Sequence, residues 1–370
     1  MEKRDYPFYI KSTSIMLGIC LLVLILYVGQ DILVPLAFAG ILAILLHPVT
    51  SFLEKRKFPR IIAISLTVFA ALIFVGLIFY FMSAQIAVFS EAFPKLKAKA
   101  FEGLSRAESW IEDSYHVSTR QQVAWMKNNL STLSQHGGAV IGATVTTVSG
   151  LLIMLTLIPV YVFLILYYRP LFITFALTVF DKRNTTKVNE VLVKIKAVIQ
   201  SYLVGLLIEG GIVAVLNCTA LLVLGIDYAI FLGVLGAMLN VIPYIGGIIA
   251  ILLPVIIALV TKDGFFYPAM VIAAYVVIQF IDNHFLIPKI VAAKVRINAF
   301  ISIIAVLVGG ALWGVSGMFL VIPMVAIVKI IFDHIESMKP WGMLLGDDLP
   351  GEKKTTKISP PPAPENKPAA

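Results

Sequence analysis

The chain alternates long apolar stretches with short charged ones from about residue 12 onward. A helix that crosses a bilayer needs about 20 predominantly apolar residues. On that criterion, the pattern predicts six full crossings, at about residues 12–30, 35–48, 61–90, 146–168, 202–224 and 265–285. The predicted fold class is therefore an all-α polytopic membrane protein.

Two further apolar stretches, 228–261 and 297–328, contain no Asp, Glu, Lys or Arg, and each is too long for one comfortable crossing. The first is interrupted by Pro243 and by the pair Gly246-Gly247, and the second has a glycine-rich centre. Proline cannot continue a helix, and glycine frees the backbone to turn. Each stretch is predicted to be a broken helical hairpin, either re-entrant or made of two short full spans.

The charged loops predict the orientation of the chain. Basic residues cluster at 54–60 and again at 289–296, and cytoplasmic loops of membrane proteins are enriched in Lys and Arg. Both loops and both termini fall on the cytoplasmic side if each broken stretch returns to the side from which it entered. A crossing followed by a hairpin then occurs twice in opposite orientation, which points to a secondary-transporter site near the bilayer midplane.

Two amphipathic segments separate the apolar stretches. Residues 91–145 mix both signs of charge with apolar positions at helical spacing, and predict a helical excursion on the extracytoplasmic side. Residues 181–199 predict a basic amphipathic helix along the inner membrane face.

The predicted divisions are 1–90 with three crossings, 91–145 with the excursion, 146–200 with the fourth crossing and basic helix, 201–345 with the transport core, and 346–370 as a disordered cytoplasmic tail.

Composition supports the membrane interpretation and excludes several other classes. The 370 residues are 59% hydrophobic and only 14% charged, whereas soluble proteins carry about 25% charged residues. The net charge of +8 lies in short loops rather than in a basic patch, so no nucleic-acid partner is expected. The expected partners are the lipid bilayer and a small polar solute or cation. The sequence is also compatible with assembly into a homo-oligomer. The sequence shows no metal-ligand spacing and no nucleotide-binding motif, so no metal and no cofactor are expected.

The fifth predicted crossing contains Glu209 and Asn217. A carboxylate within a membrane span is costly and is a functional hypothesis by default. Glu209 is accordingly a candidate proton carrier, and Asn217 a candidate pathway residue. The structural alternative is a glutamate that bonds to a neighbouring helix or lies near enough to the interface to reach water.

Gln279, Asp282 and Asn283 share one helix face at i, i+3 and i+4 spacing. Their oxygens suit a cation, and their amide groups suit hydrogen bonds to a polar solute. The alternative is that they cap the helix near the basic loop.

The break in the first hairpin consists of Asn240, Pro243, Tyr244, Gly246 and Gly247. Backbone carbonyls freed there, together with the dipoles of half-helices, are expected to hold a solute or ion.

Gly310, Gly314 and Gly317 occupy the centre of the second broken stretch and are candidates for the same role. Small residues in membranes also allow close helix packing, so that alternative stays open.

Gly314-Val315-Ser316-Gly317 also resembles the serine motif of intramembrane proteases. That chemistry needs a histidine on a facing helix, and none is expected there, so the chain is not predicted to be an enzyme.

The C-terminal half carries several motifs in combination. These are Gln200-Ser201-Tyr202 with Gly205, Leu239-Asn240-Val241-Ile242-Pro243-Tyr244-Ile245-Gly246-Gly247, Gln279-Phe280-Ile281-Asp282-Asn283, Ile287-Pro288-Lys289-Ile290, and Gly309-Gly310 through Gly317-Met318 to Pro323. This combination resembles the autoinducer-2 exporter (AI-2E) family, also called PerM-type permeases. Two positions depart from the family pattern, since Asp282 stands where members often carry Glu and Pro170 where an Asp is common.

The resemblance implies a protein of the bacterial inner membrane with about eight membrane segments. Some members are linked to export of the quorum signal, a small furanone-like polyol, and others to sodium/proton exchange.

The leading prediction is a secondary transporter that exports a small polar molecule, with Asn240, Gln279 and Asn283 as its hydrogen-bonding residues. The alternative is a cation/proton antiporter in which Glu209 and Asp282 exchange the ions. A passive oligomeric pore or scaffold is the third class.

Overall fold

The structure is a computed structural model that describes residues 7–115, 156–180, 184–241, 246–291 and 297–347. Within these ranges all regular structure is helical. The N-terminal half contains α1 Phe8–Val28, α2 Gln30–Lys55, α3 Arg60–Tyr115 and α4 Thr156–Val179. The C-terminal half contains α5 Thr185–Val223, α6 Ala229–Asn240, α7 Gly246–Thr261, α8 Phe266–Ile281 with a π-helical extension Asp282–Val291, α9 Ala299–His334, a 3-10 turn Glu336–Met338 and α10 Lys339–Leu345.

Seven of the described helices are long and apolar enough to cross a membrane. Six of them coincide with the six predicted crossings, and the seventh is α9, which folds back on itself. Most of their large apolar side chains are exposed, as expected for surfaces that face lipid rather than water. The chain is therefore an all-α polytopic membrane protein, as the hydropathy pattern predicts.

The first broken stretch forms a helical hairpin of α6 and α7. The Gly246 backbone lies directly against the Leu239 carbonyl, and a methyl group built on Gly236 would lie 3.5 Å from the Cβ of Ala250. These two contacts pair residues in antiparallel order around the turn. At about 1.5 Å per residue, α6 spans about 18 Å and α7 about 24 Å, both short of the ~30 Å hydrocarbon core. The lengths favour a hairpin that enters the bilayer and returns.

The second broken stretch reverses at Trp313 and Gly314. Gly314 has φ 60° and ψ −143°, a backbone conformation that suits glycine alone. The reversal brings the backbones of Gly309 and Gly317 into contact, although eight residues of straight helix would separate them by about 12 Å. The Trp313 indole donates a hydrogen bond of 2.9 Å to the Leu26 carbonyl, so the tip of this hairpin lies against α1.

The start of α9 and the end of α10 lie together. The side chain of Asn298 accepts a bond from the Ile301 amide at 2.8 Å and so caps α9. The same side chain donates to the carbonyls of Leu344 (2.7 Å) and Gly346 (3.0 Å). The ends of the α9 hairpin are therefore held on one side of the molecule.

Two segments differ from the sequence-based expectation. Part of the predicted excursion, 91–115, is a continuation of α3 through Pro94, while 116–145 lies outside the described residues. The predicted basic helix is likewise the first part of α5, which runs unbroken from Thr185 to Val223. The reason is local: no Gly or Pro occurs in α5 before Gly205, so nothing interrupts the helix where the span begins.

Candidate functional site

Three polar side chains from distant parts of the chain meet inside the helical bundle. Glu209 comes from α5, Asn240 ends α6, and Asp282 begins the π-helical extension of α8. Glu209 is 3% exposed and Asp282 is 1% exposed. The Nδ2 of Asn240 lies 3.2 Å from Glu209 Oε1 and 2.9 Å from Asp282 Oδ2, so one amide donates to both carboxyl groups. We call these three residues the carboxylate site.

The local sequence explains why these groups converge. Asn240 is the last residue of α6, immediately before the hairpin tip, where the helical hydrogen-bond ladder ends. Asp282 stands where the backbone changes from α-helix to π-helix, a transition that is frequent at functional sites. Glu209 projects from an otherwise apolar stretch of α5. The carboxylate site thus links the fifth crossing, the first hairpin and the α8 crossing.

Gln279 and Gly247 complete one wall of the site. A methyl group built on Gly247 would lie 2.9 Å from Gln279 Oε1 and 3.4 Å from Asn240 Oδ1. The two amide oxygens therefore approach the first turn of α7, where free backbone N–H groups give the helix terminus a partial positive charge. Only glycine at position 247 permits this approach without displacing Gln279.

The electrostatics of the carboxylate site suit ion exchange. Because Glu209 and Asp282 contact the same nitrogen, their bonded oxygens lie within about 6 Å of each other, where like charges repel. Within the described part of the chain, neither carboxyl forms a salt bridge, and Asp282 Oδ1 has no hydrogen-bond partner. Two buried charges without a counter-ion are costly. A proton or a small cation would remove that cost.

The structure separates Asn283 from its predicted neighbours. Asn283 is exposed, whereas Asp282 beside it is buried and Gln279 is half-buried. The prediction of one shared face assumed α-helical spacing, but the chain becomes π-helical at Asp282. Because a π-helix bonds i to i+5, its wider turn changes which side chains share a face. Asn283 therefore points away from the carboxylate site.

The other predicted site residues of the first hairpin divide into two groups. Gly246 is buried against Leu239 and forms the close contact at the start of α7. Pro243 and Tyr244 fall in 242–245, outside the described residues.

Asn217 lies two helical turns from Glu209 along α5. It is 2% exposed, and its Nδ2 lies 3.5 Å from the Gly233 carbonyl. It therefore belongs to a different level of the bundle from the carboxylate site.

The predicted glycines of the second hairpin pack within that hairpin. A methyl group on Gly317 would overlap the Gly309 carbonyl, and one on Gly310 would lie 2.6 Å from the end of the Met318 side chain. Gly314 forms the turn itself. Among the described elements, α9 packs mainly on α1, α2, α5 and α10. These glycines are thus placed in close backbone contacts, the alternative that the sequence left open, and not beside the carboxylate site.

Tyr275 and Gly236 were not among the predicted site residues, although both lie close to the carboxylate site. Tyr275 is 6% exposed and lies one turn before Gln279 on α8, while Gly236 lies one turn before Asn240 on α6. The signal was present, because Tyr275, Gln279 and Asp282 recur at i, i+4 and i+7 and so share a face. The tyrosine alone does not indicate a site, because tyrosine is also enriched at membrane–water interfaces without any role in transport.

Gly247→Ala is expected to fold but to weaken solute or ion binding by about tenfold. The added methyl group would displace the flexible end of Gln279, which can rotate away, and thereby remove one polar group from the site. Transport measured over a range of solute concentrations checks this, with a raised KM and a nearly unchanged maximal rate. Gly40→Ala is the matched control, because no atom of the described residues lies within 4 Å of a methyl group there. An unchanged KM in Gly247→Ala would mean that Gln279 does not contribute to the site.

Comparison with known proteins places this architecture in one family. The sequence profile described as "AI-2E family transporter" matches residues 15–337, which is nearly the whole chain. The "AI-2 transport protein TqsA" of Escherichia coli K12 is 23% identical over 341 residues, covering 90% of this chain and 95% of its own. The "Putative transport protein YueF" of Bacillus subtilis is 24% identical over 314 residues, covering 81% and 83%. The chain therefore belongs to the AI-2E family of membrane transporters.

Proposed function

We propose that this protein is a proton-coupled secondary transporter of the bacterial inner membrane that exports a small polar molecule such as autoinducer-2. The observation that carries the proposal is the meeting of Glu209, Asn240 and Asp282 at one buried point. The family supplies the transport function, and the name of TqsA supplies the example of the cargo. The loop charges support an orientation with both termini in the cytoplasm.

The coupling follows from the hydrogen bonds of Asn240. With both carboxyl groups ionised, the Asn240 amide is held by two acceptors, and the first hairpin is fixed to α5 and α8. When one carboxyl takes up a proton, it can donate to the other and no longer requires the amide. A proton in the site therefore frees the hairpin to move relative to α5 and α8, and a passenger that donates its hydroxyl groups to the ionised carboxylates can replace the amide in the same way. The proton and the passenger thus compete for the same carboxylate oxygens, and each permits the hairpin to move, which is the condition for exchanging one against the other.

A cation/proton antiporter is the second candidate, and the donor set favours it. Glu209, Asp282, Asn240 and Gln279 all present oxygen atoms near the turn, and Asp282 Oδ1 has no partner within the described residues. Hard cations such as Na⁺ prefer carboxylate and carbonyl oxygens. In this mechanism, Na⁺ and a proton alternate between the two carboxyl groups.

The test uses the full chain in proteoliposomes loaded with autoinducer-2. A pH gradient that is acidic outside is expected to accelerate the efflux of autoinducer-2, and efflux down its own gradient is expected to acidify the vesicle interior, as reported by an internal pH dye. A proton ionophore provides the control, because it should remove the acceleration without stopping downhill efflux.

Two other results would redirect the proposal. If a sodium gradient alone drove proton flux without autoinducer-2, the protein would be a cation/proton antiporter and not an exporter of autoinducer-2. If neither the pH gradient nor the ionophore changed the rate of autoinducer-2 efflux, the result would indicate the third class, a passive pore, and would contradict proton coupling.

A further inference from the structure

A second buried polar cluster lies beside the carboxylate site. Asn217 on α5 and Tyr275 on α8 are 2% and 6% exposed, and both face Gly236 on α6. A methyl group built on Gly236 would lie 3.3 Å from Asn217 Nδ2 and 3.5 Å from the Tyr275 hydroxyl oxygen. The two side chains therefore flank the same point, and the missing side chain of Gly236 leaves that point open.

Both side chains retain unused hydrogen-bonding capacity. Within the described ranges, neither Asn217 Oδ1 nor the Tyr275 hydroxyl has a hydrogen-bond partner, although Asn217 Nδ2 reaches the Gly233 carbonyl at 3.5 Å. Buried polar groups are almost always satisfied, because leaving one unpaired costs a desolvation penalty. An amide oxygen is an acceptor, and a phenol hydroxyl is both a donor and an acceptor. The atoms that face Gly236 are Asn217 Nδ2 and the Tyr275 oxygen, so a hydroxyl group at this point could accept from the amide and exchange a hydrogen bond with the phenol.

The cluster lies in line with the carboxylate site. Gly236 is one turn from Asn240 on α6, Tyr275 is one turn from Gln279 on α8, and Asn217 is two turns from Glu209 on α5. Since α6 and α8 run opposite to α5, all three displacements point toward the α5–α6 connection at residues 224–228. The two levels are therefore successive along one polar file between the same three helices.

We propose that Asn217, Tyr275 and Gly236 form a hydroxyl-binding station, one to two helical turns from the carboxylate site on the route of the transported molecule. Its ligand chemistry is a hydroxyl group that accepts from Asn217 Nδ2 and either accepts from or donates to the Tyr275 hydroxyl. That hydroxyl belongs either to a bound water molecule or to a polyol passenger such as autoinducer-2. The role as a step on the route depends on the proposed function, whereas the binding of a hydroxyl at this position does not.

The site itself is tested without any transport measurement. The purified full chain is exposed to a short pulse of water radiolysis, and oxidation of individual tyrosines is read by mass spectrometry. Tyr202 is the internal control, because it is also 6% exposed but is packed in an apolar cluster with α2 and α9. Without a passenger the hydroxyl at the station is that of a water molecule, so Tyr275 is expected to oxidise at least about tenfold faster than Tyr202. Equal oxidation rates would overturn the proposal.

The source of the hydroxyl is decided by repeating the measurement with saturating autoinducer-2. A changed rate at Tyr275 assigns the station to the passenger, and an unchanged rate assigns it to water. Gly236→Ala should slow the oxidation of Tyr275 in either case, because the added methyl group occupies the place of the hydroxyl. Its nearest contacts, at 3.3–3.5 Å, require at most a small shift of the neighbouring side chains.

The step on the route is tested by Tyr275→Phe, which removes the hydroxyl and keeps the ring. Autoinducer-2 efflux is expected to slow by about tenfold, the effect of one lost hydrogen bond. Tyr267→Phe is the control, since that half-buried tyrosine lies on the same helix, away from the station. Wild-type efflux in Tyr275→Phe would remove the station from the route, whereas no efflux in the wild-type protein would contradict the proposed function instead.

Discussion

Replacing Glu209 by glutamine is expected to reduce proton-coupled transport to the background rate of protein-free liposomes. A glutamine side chain cannot bind or release a proton, so the exchange that drives the carboxylate site is lost. The substitution keeps the volume of the side chain, and its amide oxygen can still accept the bond from Asn240 Nδ2. The fold and the hairpin position should therefore survive, and the loss should be confined to function.

The measurement is autoinducer-2 efflux under an imposed pH gradient, with the internal pH recorded at the same time. Glu190→Gln is the matched control, because Glu190 is an exposed carboxylate on the same helix, and its loss should change neither rate. Asp282→Asn is expected to reproduce the loss, since both carboxyl groups share one amide. Normal coupled efflux in Glu209→Gln would show that the proton is carried elsewhere.

The membrane architecture could be predicted from the sequence because its signals are local. Charge-free stretches of 34 and 32 residues with central Gly or Pro already imply that each chain segment breaks and reverses. Glu209 and Asp282 could also be singled out separately, because a carboxylate within an apolar span is unusual. Each of these inferences needs only a short window of sequence.

The carboxylate site could not be predicted as a unit, because it depends on packing between distant segments. Asn240 is 31 residues from Glu209 and 42 from Asp282, and no periodicity relates those distances. The orientation of Asn283 depended on a π-helical segment, which no propensity in the sequence indicates. The continuity of α5 was not predicted for another reason. The composition changes from basic to apolar near residue 200, which suggests the end of one helix and the start of another, but a helix can continue through such a change.

The glycines of the second hairpin show how geometry decides between alternatives that composition leaves open. A small residue can expose its backbone to a solute or bring two helices together. Gly309 and Gly317 do the latter, because each lies against the backbone of the other. The hairpin then packs on α1, α2 and α5, which places it as a support for α5 and thus for Glu209.

Gly317→Ala is expected to destabilise the protein more than substitution at either neighbouring candidate glycine. Its methyl group would overlap the Gly309 carbonyl, and that backbone atom cannot move unless the two arms of α9 separate. Overpacking of a close contact costs about 1–3 kcal/mol, and more when only backbone can yield. Gly314→Ala meets open space but imposes an alanine at φ 60°, at a cost of about 1–3 kcal/mol. Gly310→Ala meets the flexible end of Met318 and should cost least.

Thermal unfolding in detergent, followed by tryptophan fluorescence and by retention of the monodisperse peak, should rank the Tm values in that order. Trp313, one of four tryptophans in the chain, contributes the signal from the hairpin tip, where its indole donates to the Leu26 carbonyl of α1. Gly40→Ala again provides a substitution without a neighbour. If Gly317→Ala unfolded at the wild-type temperature, the close backbone contact between the two arms of α9 would be contradicted. The inverted pair of hairpins would then depend on the non-helical backbone at Trp313 and Gly314 alone.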